Sequence, residues 1–469
     1  MINFFKTLLN VWKIAELRTK ILFTLGMLAV YRIGFWIPLP GVNQEALVEH
    51  FQRAAENQSA AARAAQYVAI FSGGSFGQST IFGLGIMPYI SAAIIFQLLG
   101  TVSKRLKQLQ DEGPTGRQKI QEWTRLATVG LCIFQAVGWL KYISASGLVY
   151  PEWSGNFIWW VMAVTAMTAG TVFLMWLGEQ IDKYGIGNGV SMIITAGILT
   201  SMPGAVMWVI NNFQPGSREP GAMGFPGLIF LIAGFVTVVA GSVVMTVAQR
   251  RIPIQQAKHT RGRKVFGGQR SYLPLRINHG GVMPVIFASS LMIFPSVIFG
   301  MLYQQAETMG AGASWWAAVT RWLNDNFNFG AFPYILCEVI LIYFFSYFWI
   351  TVQFNPEEMA KQLKEHGSFI PGLRPGPRTA EYLETVMERI TFVGATFLAV
   401  IAVTPMVVHR SLNVDMTVTQ FLGGTGLLIV VSVILDFVQR VEANLLMRNY
   451  AGFLGGGESG RSARIRGPR

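Results

Sequence analysis

The sequence predicts an all-α membrane protein of ten spanning helices, and three observations carry that prediction. Only 13% of the 469 residues are charged and 52% are hydrophobic, against about 25% charged in an ordinary soluble domain. The mean hydropathy is +0.42. The apolar residues also arrive in blocks about 20 residues long, the length a helix needs to cross roughly 30 Å of hydrocarbon. The 50 glycines lie within and beside these blocks, where membrane helices accept them. Composition therefore excludes both a water-soluble globule and a largely disordered chain.

In chain order the blocks are 21–38, 79–100, 123–143, 157–178, 188–210, 226–248, 282–303, 332–353, 391–409 and 418–438. The cytoplasmic N-terminal segment 1–20 carries Lys6, Lys13, Arg18 and Lys20, and no small-residue cleavage site follows the first block. That block reads as a retained span rather than a removable signal. Spans one to five form an N-terminal half, 21–210. Pro215, Gly216, Pro220 and Gly221 mark an external hinge loop at 211–225, spans six to ten form a C-terminal half, 226–440, and a tail follows at 441–469. Because five is odd, the second half enters the membrane inverted, and an inverted pair of this kind places its working site between the halves. The stretch Tyr67 to Thr80, YVAIFSGGSFGQST, is too short to span and is broken by Gly73, Gly74 and Gly77. It fits a short re-entrant helix buried in protein and equally an amphipathic loop lying on the headgroups.

Charge sets the orientation. Of the basic residues, 29 fall on the termini and on the loops 101–120, 179–187, 249–276 and 355–389, whereas the opposite loops hold only Arg53, Arg63, Arg218, Arg321 and Arg410. The positive-inside rule then puts both termini in the cytoplasm. The loop 249–276 is long and basic, which suits retention beside anionic lipid as well as docking of an acidic partner. In 355–389, Pro371, Pro375 and Pro377 bracket GLRPG, which would hold Arg374 on a stiff tip, although a helix stop and loop turn explain the prolines as well.

The chemistry-bearing motifs are missing. No H-E-x-x-H, G-x-S-x-G or Walker phosphate loop occurs, and Gly185, Gly187 and Gly189 sit between spans, the wrong context for a dinucleotide site. Cys132 and Cys337 lie in apolar runs without metal spacing. Ionisable residues inside the spans are few, with Arg32, Glu338 and Asp436 near span ends, whereas ion-coupled carriers and membrane enzymes usually place charges at midplane. The expectation is a protein without catalytic residues, metal or cofactor. Ile86 and Ile90, an i, i+4 pair flanking Pro88, read locally as residues facing lipid or a neighbouring helix.

Several long stretches nevertheless resemble one family. FSGG followed by IFGLGIMPYISAAIIFQLL, then FLMWLGEQIDKYGIGNGVSMII, LPLRINHGGVMPVIFASS and FNPEEMAKQLKEHGSFIPGLRPG occur in family order between about residues 20 and 448. They are similar to the SecY family, the channel-forming subunits of bacterial protein translocases. The resemblance implies two inverted five-helix halves around a central pore. It implies a pore ring of Ile86, Ile90, Ile194, Ile286 and Ile401, reversing the local reading of the first two. It implies that a re-entrant segment at about 66–78, including Phe71, Ser72, Gly73 and Gly74, is a plug. A lateral gate between the second and seventh spans would involve Ser91, Asn278 and Phe294.

By the same resemblance, Lys258, Arg261, Arg263, Lys264 and Arg374 would dock the SecA ATPase motor or a ribosome with its nascent chain. SecE and SecG are the implied membrane neighbours. Secretory and membrane-protein precursors with signal sequences are the implied cargo, membrane lipids are contacts, and direct DNA binding is not implied. The expected location is the bacterial plasma (inner) membrane. The chain departs from the family pattern in the Ala-rich ENQSAAARAAQ, in TVAQRR, where an acidic residue is expected, and in the tail GGGESGRSARIRGPR. The competing function, motivated by topology alone, is an inverted-repeat small-solute transporter.

Overall fold

The structure is a computed structural model that describes residues 14–56, 79–153, 155–213, 224–256, 259–261, 264–266, 270–308, 315–327, 331–412, 418 and 424–454. The expected spans correspond to α1 (Ala15–Gly34), α3 (Met87–Val102), α5 (Pro114–Ala145), α6 (Phe157–Tyr184) and α7 (Gly189–Asn212) in the first half. In the second they correspond to α8 (Phe225–Val247), α9 (Met283–Thr308), α11 (Phe332–Gln353), α13 (Pro377–Leu412) and α14 (Thr425–Leu454). Among the described residues six of these, α5, α6, α7, α8, α11 and α13, are long and apolar enough to cross a membrane by length and composition. Shorter helices join them: α2 (Gln44–Glu56), α4 (Lys104–Asp111), α10 (Trp315–Asn326) and α12 (Pro356–Glu365).

Helix starts follow from local chemistry. Asn156, Asn188 and Asn355 stand as N-caps of α6, α7 and α12, and their side-chain oxygens accept from Ile158 N, Ser191 N and Glu358 N at 3.0, 3.0 and 3.3 Å. Each bond satisfies a backbone donor that the first turn leaves over. Proline occupies the first turn of α3, α5, α8, α11 and α12, where its missing N–H removes no helical bond. Inside the spans, hydroxyls return to the carbonyl four residues back, as for Thr195, Ser242, Ser346 and Thr391. In hydrocarbon that internal bond replaces the water the hydroxyl has lost.

The expected second span differs from the structure at its start. Residues 79–86 form turns rather than helix, and α3 begins at Met87. Gly83, Gly85 and Pro88 disfavour an earlier helical start. This irregular backbone is largely buried, as lipid demands of any non-helical chain. It is fastened by Leu39 N donating to Ser79 O at 2.9 Å, Ile81 N to Ile37 O at 3.1 Å, and Trp139 Nε1 to Ser79 Oγ at 3.0 Å. The tenth span also shifts, since its helix begins at Thr425 and continues to Leu454, well into the segment expected as tail. The final residues 455–469 lie outside the described residues.

The loop 249–276 adds strands to the helical architecture. β1 (Gln249–Gln256) pairs antiparallel with β4 (Arg270–Arg276), while β2 (His259–Arg261) and β3 (Lys264–Phe266) pair at its far end. β5 (Ser368–Phe369), from the other long loop, joins the free edge of β1 and gives the order β4-β1-β5. The two basic loops are thus parts of one module. Ile252, Leu275, Phe354, Ile370, Leu383 and Met387 form its own small core.

Within each half the spans pack on one another: α5 on α3 and α6, α6 on α7, and α1 on both; then α9 on α11, α11 on α13, and α8 on α14. Between halves, α7 packs on α14. The corner that brings α7 there is tight. Asp182 Oδ1 accepts from Gly189 N at 2.7 Å, and a Cβ on Gly189 would overlap the Gly178 backbone. Only glycine lets the α6–α7 turn close so far.

Candidate pore and seam between the halves

The five isoleucines come from four elements. Ile86 is the N-cap residue of α3 and Ile90 lies one turn on, its N–H donating to Ile86 O at 3.1 Å. Ile194 lies in the second turn of α7. Ile286 stands in the first turn of α9, its N–H donating to Val282 O at 3.2 Å. Ile401 lies within α13, four residues before Pro405. Because proline has no N–H, the Ile401 carbonyl loses its usual helical donor at that point. All five side chains are buried, none more than 8% exposed, and all belong to one hydrophobic cluster that draws on both halves. All five thus lie within the larger buried apolar cluster to which both halves contribute. Three come from the first half and two from the second.

Aromatic clusters flank them in each half. Tyr31, Phe35 and Phe82 stack edge to face at 4.7 and 5.7 Å between ring centres. In the second half Phe287 stands 5.7 Å from Phe345 and 5.5 Å from Trp349. Such rings are large, rigid apolar blocks, and all six belong to the same buried cluster as the isoleucines. The sequence reading did not single them out. Phe287 adjoins Ile286 and Phe82 opens the IFGLG stretch, so their positions beside the motif residues were the available signal.

The other candidates are placed less closely. Ser91 follows Ile90 on α3 and is half-buried. Asn278, half-buried between β4 and α9, lines a small cavity with His279, Pro284, Ser346, Thr391 and Gly394. The Phe294 side chain lies outside the described residues, as does the whole plug segment with Phe71, Ser72, Gly73 and Gly74. Among the described residues α3 and α9 share no extensive helix–helix interface; α3 packs on α4, α5 and α6, and α9 on α10, α11 and α13. Arg261 and Lys264 pair across the β2–β3 ribbon, and Lys258 and Arg263 lie outside the described residues. Arg374 is exposed on the turn before α13, where its carbonyl accepts from Thr379 Oγ1 at 2.9 Å.

Beside β4, Gly187, Asn188, Ser191, Thr246, Arg276 and Gln439 line a cavity of about 200 Å³. Arg276 Nη2 donates to Gln439 Oε1 across its wall at 3.4 Å. Of the ionisable residues noted near span ends, Asp436 pairs with Arg440 at 2.8 Å. Glu338 is fully buried, and neither carboxylate oxygen has a partner among the described residues. Among the described residues no group of three His, Cys, Asp or Glu side chains could hold a metal ion.

A family model for SecY matches residues 80–438. The chain is 41% identical over 460 residues to the protein translocase subunit SecY of Chlamydia trachomatis, covering 96% of this chain and 98% of that one. The SecY subunit of Thermotoga maritima is 38% identical over 463 residues, covering 98% and 99%. The fold is similar to a solved protein-conducting channel, with a TM-score of 0.58 at 19% identity and 95% coverage of both chains. It is also similar to Sec61 in the canine ribosome-channel complex from the endoplasmic reticulum, with a TM-score of 0.56 at 17% identity, again covering 95% of each.

Proposed function

This chain belongs to the SecY family, and we propose on that premise that the five clustered isoleucines are the constriction through which unfolded secretory proteins cross. The protein is a multi-pass membrane protein and a protein-conducting channel. The observation that carries the pore reading is the burial of Ile86, Ile90, Ile194, Ile286 and Ile401 in one cluster between the halves. A constriction of aliphatic side chains wets poorly and so resists ion flow when empty. Its contacts are non-directional, so the side chains can part around a passing chain without breaking a hydrogen bond.

Lateral release follows from the same geometry. The halves are joined at α7–α14, whereas α3 and α9 lack an extensive interface among the described residues. A seam there would let an apolar segment of about 20 residues leave into hydrocarbon, where a polar segment is unstable. Ser91, Asn278 and Phe294 would line it, and the segment at 66–78 would plug the resting pore. SecE and SecG would sit beside the halves in the bacterial plasma membrane, with both termini cytoplasmic. The β-module, which carries Arg261, Lys264 and Arg374, would dock SecA or a ribosome. Energy would enter through those partners, since the channel side chains perform no covalent step.

The test is a photo-crosslinking residue at Ile286 in the reconstituted chain with SecE, SecG and SecA, and a secretory precursor stalled by a folded C-terminal domain. Crosslinks to the stalled segment that require a functional signal sequence are expected. Full translocation without crosslinks would remove Ile286 from the path.

A further inference from the structure

We propose that α10 is an interfacial anchor that lays its tryptophan face into the lipid headgroup layer, on the side of the membrane away from the β-module. The inference rests on the multi-pass reading and goes beyond it to a lipid contact surface. α10, WWAAVTRWLNDN, joins the ends of α9 and α11 remote from the β-module and packs on both. At about 100° per residue, nine of its twelve residues fall on three arcs. Thr320 is fully buried, and Ala317 and Asn324 beside it are half-buried; this arc is turned to the protein. Trp315, Trp316, Val319 and Trp322 form a second arc and are exposed, Trp315 by 76% and Trp322 by 61%. Arg321 and Asp325 form the third, an exposed i, i+4 pair at 3.9 Å.

Two of the arcs point to what covers them. Three tryptophans and a valine on one side of a short helix are too much apolar surface to leave in water, and the ion pair beside them is the side that belongs in water. A helix with an apolar arc bordering a polar one lies in the plane of the membrane at the headgroup boundary. Tryptophan is the side chain enriched at that depth, its ring apolar and its indole N–H able to meet a polar group. The neighbouring spans carry exposed apolar flanks of their own, including Ile298 on α9 and Phe332, Leu336 and Ile340 on α11. α10 packs on both of these spans, so the lipid that covers their flanks would lie beside it. A single cation, Arg321, on its water side favours no anionic lipid, so a zwitterionic surface suffices. By resting on the headgroups, α10 fixes the depth of the end of α9, the helix that carries Ile286.

Nitroxide accessibility tests this. In a background with Cys132→Ala and Cys337→Ala, single labels are placed at Val319, Asp325 and, as a reference within a span, Ile340. The protein is reconstituted with its partner subunits in phosphatidylcholine vesicles, and collisions with oxygen and with a water-soluble nickel chelate are measured. The expected result is a Val319 label about 5–10 Å below the headgroup boundary, richer in oxygen than in nickel collisions, and an Asp325 label open to nickel. Equal nickel access at Val319 and Asp325 would overturn the anchor. Protection of Val319 from both reagents would overturn it in favour of a protein partner or a second copy on this face. An Ile340 label open to nickel would mean instead that the spanning reading had failed.

Discussion

The halves meet along two seams that are built differently. At α7–α14 the join is dense, and a satellite core of Leu17, Ile186 and Val441, with Ile14, Ile21 and Phe437 packed on it, ties α1, the α6–α7 turn and α14 together. The turn is fixed by directional bonds as well, Asp182 to Gly189 N and Thr24 Oγ1 accepting from Ile186 N at 3.2 Å. On the α3–α9 side the helices lack an extensive interface among the described residues, and the isoleucines there belong to the apolar cluster shared by both halves. A seam entered by a turn that hydrogen bonds and close backbone pin within the first half suits a hinge. A seam of interchangeable apolar contacts suits an opening, because moving it costs area and no particular bond.

The largest expected effect breaks the α6–α7 turn that carries α7 to the dense seam. Gly189→Val drives a branched side chain into the Gly178 backbone, and this overpacking should cost about 3 kcal/mol or more. The expected readout is a purified complex whose thermal unfolding midpoint falls steeply. Leu17→Ala follows, removing a buried anchor of the satellite core at about 2–3 kcal/mol; a midpoint close to the unaltered protein's would show that α1 contributes little to the hinge. A matched pair then sharpens the contrast. Ile286→Val and Ile186→Val each delete one buried methyl and should each cost about 0.5–1.5 kcal/mol. Ion leak through vesicles should rise for Ile286→Val alone. Equal leak from both variants would erase the distinction between constriction and hinge.

The legible part of this architecture was whatever depends on composition and period. Twenty-residue apolar blocks located a helix at every expected span, because lipid leaves the backbone few alternatives. The starts of α3 and α14 were misplaced because hydropathy ignores Gly85 and Pro88, and treats 418–424 as apolar whether helical or not. The strands β1 and β4 escaped because charge drew attention to Arg250, Arg251 and Arg270, while the buried alternation of Ile252 with Ile254 spans too few residues to stand out. Pairing of β5 with β1 joins residues more than a hundred positions apart, which no local pattern announces. For the candidate pore, periodicity alone placed Ile86 and Ile90 on a lipid or helix face; only the family resemblance set them beside Ile194, Ile286 and Ile401.

The smallest effect concerns the foot of α9. His279, at the turn between β4 and α9, has a buried Nδ1 without a partner among the described residues and packs edge to face on Phe354 at 6.2 Å. Burial lowers its pKa below the ordinary 6.5, a backbone hydrogen bond with Arg276 works against this, and the Arg276 charge depresses it further. The folded state thus favours the neutral ring. Above pH 6.5 both folded and unfolded chains carry it neutral and folding keeps its full contribution. As the pH falls below 6.5, the unfolded chain takes up the proton first, and stability declines until the lowered folded pKa is passed. The unfolding midpoint of the unaltered protein should therefore drop more between pH 7 and pH 5.5 than that of His279→Gln. Parallel pH profiles would show that the ring is free to charge where it stands, and that α9 is held at its foot by the Phe354 contact and the β4 strand alone.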